Sequence, residues 1–212
     1  MAWFIDQWVE KCQGFEFSHI ENSRFGFVSE TTLNKHSKRA RHGRAIRLPG
    51  KRKERETAYF FKNAYALGLL AKQLSKEEGD DVIAVLFRDT DGAASAGRGL
   101  RIKKVESIET GFESAGFNHG VAMMPNPKSE AWLLCALKST SPYQHCTSLE
   151  DMSGNDNSPN SLKMLLEKAL GKRPSADELS EMVKNRQVNI CRIDMPSLQD
   201  FKSALARAVK AR

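Results

Sequence analysis

An α/β fold built on a parallel sheet follows from three features of the sequence. Val82-Ile83-Ala84-Val85-Leu86-Phe87 is a continuously apolar run rich in β-branched residues, the pattern of a central strand covered on both faces. Gly120-Val121-Ala122-Met123-Met124 is a second short apolar run, stopped by Pro125-Asn126-Pro127. Helical periodicity lies between and after these runs. Strand, helix, strand, helix at this spacing marks parallel βαβ units.

The other elements follow in chain order. Trp3, Phe4, Trp8 and Val9 recur near a 3.6-residue period, so residues 1–13 read as a helix. Phe25-Gly26-Phe27-Val28 resembles a short strand, and Leu48-Pro49-Gly50 is a turn. Residues 57–75 form an amphipathic helix through Phe60, Phe61, Ala64, Leu67, Leu70, Ala71 and Leu74, ended by Gly79-Asp80-Asp81. Residues 102–115 and 129–137 are helical, with Gly111 a weak point in the first. Residues 139–160 are polar and read as an exposed loop. Three capped helices follow. Ser161 opens the first and Gly171 closes it, Ser175 and Glu178 make a capping box for the second, and Ser197 and Asp200 repeat that spacing in the third. Val188 to Ile193 is expected to add an edge strand. The domain plan is an α/β core over 1–138 with a basic segment at 35–55, the loop 139–160, and a helical region 161–212 packing on the core.

Composition sets the partners. The chain has 212 residues and a net charge of +7, with a mean hydropathy of −0.50. No apolar run approaches the roughly 20 residues of a bilayer span. The first ten residues contain Asp6 and lack a basic n-region and a cleavage site. A cytoplasmic, membrane-free protein is expected. Its cysteines (Cys12, Cys135, Cys146 and Cys191) show no repeated spacing, so free thiols are expected. Between Lys35 and Arg55 stand ten Lys/Arg against the single Glu54, a net +9, which leaves −2 for the rest. Such a block neutralises phosphates and releases counterions, so Lys38, Arg39, Arg41, Arg44, Arg47, Lys51, Arg52 and Lys53 are candidate nucleic-acid contacts.

The chemistry concentrates where the first strand ends, in Arg88-Asp89-Thr90-Asp91-Gly92. Ligands of open parallel sheets bind beyond the carboxyl ends of the strands. Asp89 and Asp91, two residues apart on extended chain, project to the same side and can share one cation. Oxygen donors of this kind suit Mg²⁺ or Mn²⁺. The competing reading is a turn, since Asp-Gly is a common turn pair. At the second strand end, Lys128 can neutralise charge on a transferring phosphoryl group. Glu130 can complete the metal shell or act as base; an acid in a first helical turn also simply complements the macrodipole. The Gly92–Gly99 stretch lacks the Lys-Ser/Thr of a phosphate-binding loop and reads as a plain connector, the alternative being a flexible flap that brings Arg98 and Arg101 near phosphate.

The strand ending in Arg-Asp-Thr-Asp-Gly, followed by Pro-x-Pro-Lys-x-Glu-Ala-Trp-Leu-Leu, resembles small TOPRIM-like (topoisomerase–primase fold) proteins of bacterial genome-defence clusters. These are distant relatives of the overcoming-lysogenisation-defect nucleases. The resemblance covers 82–137, with a weaker echo at 197–206. It implies a parallel-sheet core and Mg²⁺/Mn²⁺-dependent phosphodiester hydrolysis of DNA or RNA. Asp89 and Asp91 would be the D-x-D pair, with a larger ATPase as partner. TOPRIM domains open with a strand ending in a catalytic Glu. No strand–Glu pattern precedes Val82, and Glu10, Glu16, Glu21 and Glu30 are only stand-ins. The alternative function is therefore a non-catalytic nucleic-acid-binding or assembly subunit that keeps a TOPRIM-like fold. A small phosphoesterase or phosphotransferase is a third, weaker reading.

Overall fold

The two apolar runs pair. β1 (Ala84–Phe87) and β2 (Gly120–Met123) form a parallel two-stranded sheet, with Ala84 opposite Gly120 and Phe87 opposite Met123. The computed structural model describes residues 1–21, 25–40, 55–90 and 97–210. Around the sheet lie α1 (Ala2–Gln13), α2 (Glu30–Ala40), α3 (Arg55–Glu78), α4 (Gly97–Ser114), α5 (Ser129–Leu137), α6 (Leu162–Leu170), α7 (Ala176–Lys184) and α8 (Pro196–Lys210). The α/β class is as expected.

Strand alternation divides the core in two. Val85, Val121 and Met123 face an apolar cluster built from Phe4 and Val9 of α1, Trp132 and Leu134 of α5, Leu162 and Leu166 of α6, and Leu198, Phe201 and Leu205 of α8. Ala84, Leu86 and Ala122 face the opposite cluster, made by Leu33 of α2, Phe60 and Ala64 of α3, and Ile108 and Phe112 of α4. Successive strand side chains point to opposite faces, so an unbroken apolar run serves both clusters. Six consecutive residues of α5, Ala131 to Ala136, are buried; a helix apolar all round belongs inside.

Four expectations need correction. Residues 25–28 adopt no strand, and Phe27 and Val28 are exposed. Residues 190–192 form a 3₁₀ turn rather than an edge strand. The buried Gln7 side chain anchors that turn, donating to Val183 O at 2.7 Å and Val188 O at 3.1 Å and accepting from Ile190 N at 3.0 Å. Backbone groups satisfied this way need no neighbouring strand. A helix unforeseen in the sequence, α2, starts where Ser29 Oγ accepts from Thr32 N at 3.2 Å, with Glu30 in its first turn. Finally, Cys135 and Cys146 form a disulfide, fastening α5 to the chain after it, while Cys12 and Cys191 are free. The 139–160 stretch is mostly exposed but docked at points: Cys146 and Gly154 are buried, and 147–151 form a 3₁₀ helix. Among the described residues, no helix is long and apolar enough to cross a membrane.

Gly111 has a packing reason. A Cβ there would stand 2.6 Å from Phe61 O and 2.8 Å from Ala64 Cβ, so α4 crosses α3 at closest approach. Gly111→Ala gains about 1 kcal/mol in helix propensity. Overpacking against a backbone carbonyl costs about 1–3 kcal/mol. A lower denaturant midpoint with unchanged slope is the expected outcome in equilibrium unfolding.

Candidate functional site at the strand ends

The parallel ladder runs past β1. Arg88 N donates to Met123 O at 3.1 Å and Thr90 N to Pro125 O at 3.2 Å, so the chain stays extended through Asp89. Thr90 is buried, and its hydroxyl lies 3.0 Å from both Asn126 Oδ1 and Pro127 O. Its carbonyl accepts from Lys104 Nζ at 2.8 Å. Lys104, on α4, is itself buried, with its ammonium 5.3 Å from the Phe60 ring centre. A buried cation thus sits directly against the predicted acidic strand end. Desolvating an ammonium is costly unless dipoles and π faces replace water, and here a carbonyl and a ring do so.

Asp89 projects away from Thr90 and reaches α5. Its Oδ1 accepts from Ser129 N at 2.9 Å. Lys128, at the N-cap position, makes no side-chain cap, so Asp89 supplies the cap from another element. A carboxylate there also meets the positive end of the helix. Lys128 Nζ instead pairs with Asp156 Oδ1 at 2.9 Å. Glu130 is half-buried in the first turn of α5. The structure therefore brings Asp89 to the start of the helix that carries Lys128 and Glu130. Asp91 lies outside the described residues, as do Arg41, Arg44, Arg47, Lys51, Arg52 and Lys53, and the side chains of Lys38, Arg39 and Arg98.

Neighbouring groups are structural rather than phosphate-facing. Arg101 pairs with Asp200 at 2.7 Å and donates to Met124 O at 3.3 Å, tying α4 to β2 and α8. Glu150 Oε1 accepts from Ser197 N at 2.8 Å and Ser197 Oγ at 2.6 Å, and that hydroxyl accepts from Trp132 Nε1 at 2.8 Å. Asn126 Nδ2 donates to Glu150 O at 3.1 Å. The 3₁₀ helix is thereby strapped across the end of β2 and the start of α8.

Of the stand-in glutamates, Glu10 pairs with Arg186 and accepts from Phe17 N at 3.2 Å, away from the strand ends. Glu30 does reach them. It pairs with Arg88 at 2.8 Å, and hydrogen bonds from Tyr59 and then Arg88 hold its carboxyl below the ordinary range. Arg88 in turn lies 5.3 Å from the Tyr59 ring centre. Among the described residues, no group of three or more His, Cys, Asp or Glu is arranged to hold a metal ion. Sequence reasoning missed Lys104, Asn126 and Glu150, and read Ser197 and Asp200 as a capping box, whereas Ser197 Oγ donates to Glu150 and Asp200 pairs with Arg101. Lys104 carried a faint signal, a lysine on the face of α4 that also presents Ile108 and Gly111.

No protein-family model matches the chain, and neither a curated protein nor a solved structure does.

The Lys128–Asp156 contact has a pH signature. The hydrogen bond from Lys128 pulls the Asp156 carboxyl below its ordinary range. A depressed carboxylate contributes stability above its unfolded pKa and loses it as pH falls through the folded one. The loop contact should therefore persist at neutral pH and open only in acid. An NMR titration should show Asp156 titrating low in the native protein and returning toward ordinary values in Lys128→Met.

Proposed function

We propose that the chain is a TOPRIM-like nuclease that hydrolyses phosphodiesters of DNA or RNA with Mg²⁺ or Mn²⁺. The observation that carries this reading is the meeting of Asp89 with the first turn of α5 beyond two parallel strands. Such crevices are where open parallel sheets bind ligands. The donor chemistry fits a hard cation: Asp89 and Glu130, with Asp91 two residues on in the sequence, offer only oxygen. Asp89 and Asp91 would hold the ion, with Glu130 extending that set. When bound, the ion supplies Lewis acidity and a more acidic water.

The chain's own groups have separate tasks. Hydrolysis adds water across a P–O bond, so one proton must leave the attacking water and another must reach the departing oxygen. Glu130, where it does not extend the ion's ligand set, is the base for the first, and solvent water supplies the second. Lys128, once exchanged from Asp156 to phosphate, offsets charge gathering on the phosphoryl oxygens. Lys104 keeps the Thr90 carbonyl turned toward α4 and so sets the direction in which the chain leaves β1. A larger ATPase partner and a role in genome defence belong to the same reading and rest on the resemblance alone; a cytoplasmic location rests on composition.

A second reading has its own support. Asp89 already caps α5 and Lys128 already pairs with Asp156, which is what a non-catalytic binding or assembly subunit would show. Asp89→Asn separates the two, because an amide oxygen can still cap the helix but brings no charge. If the site is catalytic, cleavage should fall by at least roughly 100-fold, since even outer partners of metal ligands cost 10–100-fold. Mn²⁺ at about 100 times its Kd should raise wild-type stability by about 2.7 kcal/mol, an effect the variant should lose. A wild type that neither cleaves nor gains stability with either metal leaves the binding subunit as the function.

The basic segment makes a separate forecast. Arg52→Ala with Lys53→Ala should weaken nucleic-acid binding equally across sequences and flatten the salt dependence by about one unit per lost phosphate contact. An unaltered slope in a salt titration would remove these two residues from the interface.

A further inference from the structure

The connection between α1 and α2 exposes an unusual amount of apolar surface. Phe15 is 58% exposed, Ile20 61%, Phe27 82% and Val28 39%, all within fourteen residues. Scattered exposed apolar residues are ordinary; here the rings form a column of edge-to-face and tilted contacts. Trp3 meets His19 with ring centres 4.6 Å apart, His19 meets Phe25 at 4.9 Å, and Phe25 meets Phe27 at 4.8 Å. The base of the column is fixed. Asp6 is buried, and its Oδ2 accepts from the His19 backbone N–H at 3.2 Å and lies 2.6 Å from His19 Nδ1. Phe27 is thus both the most exposed large apolar side chain described and one whose ring rests on a chain of held rings.

Space beside it is open, and a basic stretch follows it in the sequence. Between the two phenylalanines stands Gly26, where a Cβ would meet nothing within 4 Å. At the other end of the row, Lys184 Nζ lies 5.6 Å from the Trp3 ring centre. Lys35 is exposed on α2, eight residues beyond Phe27, and the sequence from there to Arg55 carries the net +9. Aromatic faces beside positive charge bind single strands, whose unpaired bases stack while cations follow the backbone. Duplex bases are already stacked on each other and cannot reach such a ring.

We infer that Phe27, supported by Phe25 and His19, is a stacking platform for a base of single-stranded nucleic acid. The inference rests on the nucleic-acid part of the proposed function and assigns it a strand state and a contact. An acidic amphipathic peptide is the rival occupant. It would complement the charge equally, but would bury Ile20 and Val28 as readily as the rings.

Fluorescence anisotropy with labelled oligo(dT), and with a duplex of equal length, tests this in EDTA, where cleavage is silent. Phe27→Ala should weaken oligo(dT) binding by roughly tenfold, Phe27→Trp should restore it, and duplex affinity should stay within twofold of wild type. Because Phe27 is 82% exposed, the melting temperature should not move. Equal oligo(dT) affinity in wild type and Phe27→Ala would overturn the platform. So would equal losses for single strand and duplex, or a wild type that binds duplex alone. An acidic peptide that needs Phe27 while oligo(dT) does not would give the surface to a protein partner instead. The readout is independent of catalysis, because EDTA keeps cleavage silent. Failure of metal-dependent cleavage would leave this result standing.

Discussion

Two parallel strands of four residues each hold little by themselves. Parallel pairing is slightly weaker per residue than antiparallel, and a two-stranded unit is marginal without packing on both sides. The pairing of β1 with β2 survives because each face is sealed by its own apolar cluster. The rest of the architecture follows from this need. α3 and α4 close one face and α5 with α8 the other. The connection from β1 to β2 runs through α4, as parallel strands require a crossover. Gly111 and Gly120 let the covering helices approach closely; a Cβ on Gly120 would fall 2.2 Å from the Phe112 ring.

Sealing both faces leaves the strand ends as the place where polar groups collect. The extended backbone past Phe87 has donors and acceptors to satisfy, and these are met by Pro125 O, Lys104 and the Thr90–Asn126–Pro127 contacts. An unsatisfied buried polar group costs about 1–3 kcal/mol, so these bonds fix the strand end firmly. Asp89 is aimed at α5 as a consequence. Its capping bond serves the fold and puts a carboxylate at the positive end of a helix.

Much of the fold was legible because it depends on local pattern. β1, β2, α3 and the capped helices α6 and α7 carry their own signals in apolar runs, 3.6-residue periodicity and Ser caps. α2 was hidden because its composition is mostly polar and Leu33, its one core residue among the described side chains, gives no period. The 190–192 turn was misread because β-branched residues around it are held by Gln7, more than 180 positions away. The Cys135–Cys146 bond was missed because residue spacing gives no account of where α5 returns to the chain after it; it also departs from the thiol state expected in a reducing compartment. Asp89 and Lys128 were recognised as candidates from their strand-end positions. Their present partners, Ser129 N and Asp156, were not, since both contacts cross elements.

Those partners frame the choice between catalyst and scaffold. One oxygen of Asp89 accepts a backbone N–H, and a metal-binding carboxylate held by such a bond is better oriented for the ion. Lys128 differs. Its pair with Asp156 is half open to water, the two side chains being 16% and 53% exposed, and such a pair contributes little. A phosphate carries more charge than one carboxylate and could replace Asp156 at small cost. The present contacts of Asp89 and Lys128 thus do not oppose a catalytic site. The deciding constraint falls on the third carboxylate. Glu130 must turn toward Asp89 from the first turn of α5, or Glu30 must exchange Arg88 and Tyr59 for a cation, and only the first leaves an existing ion pair intact.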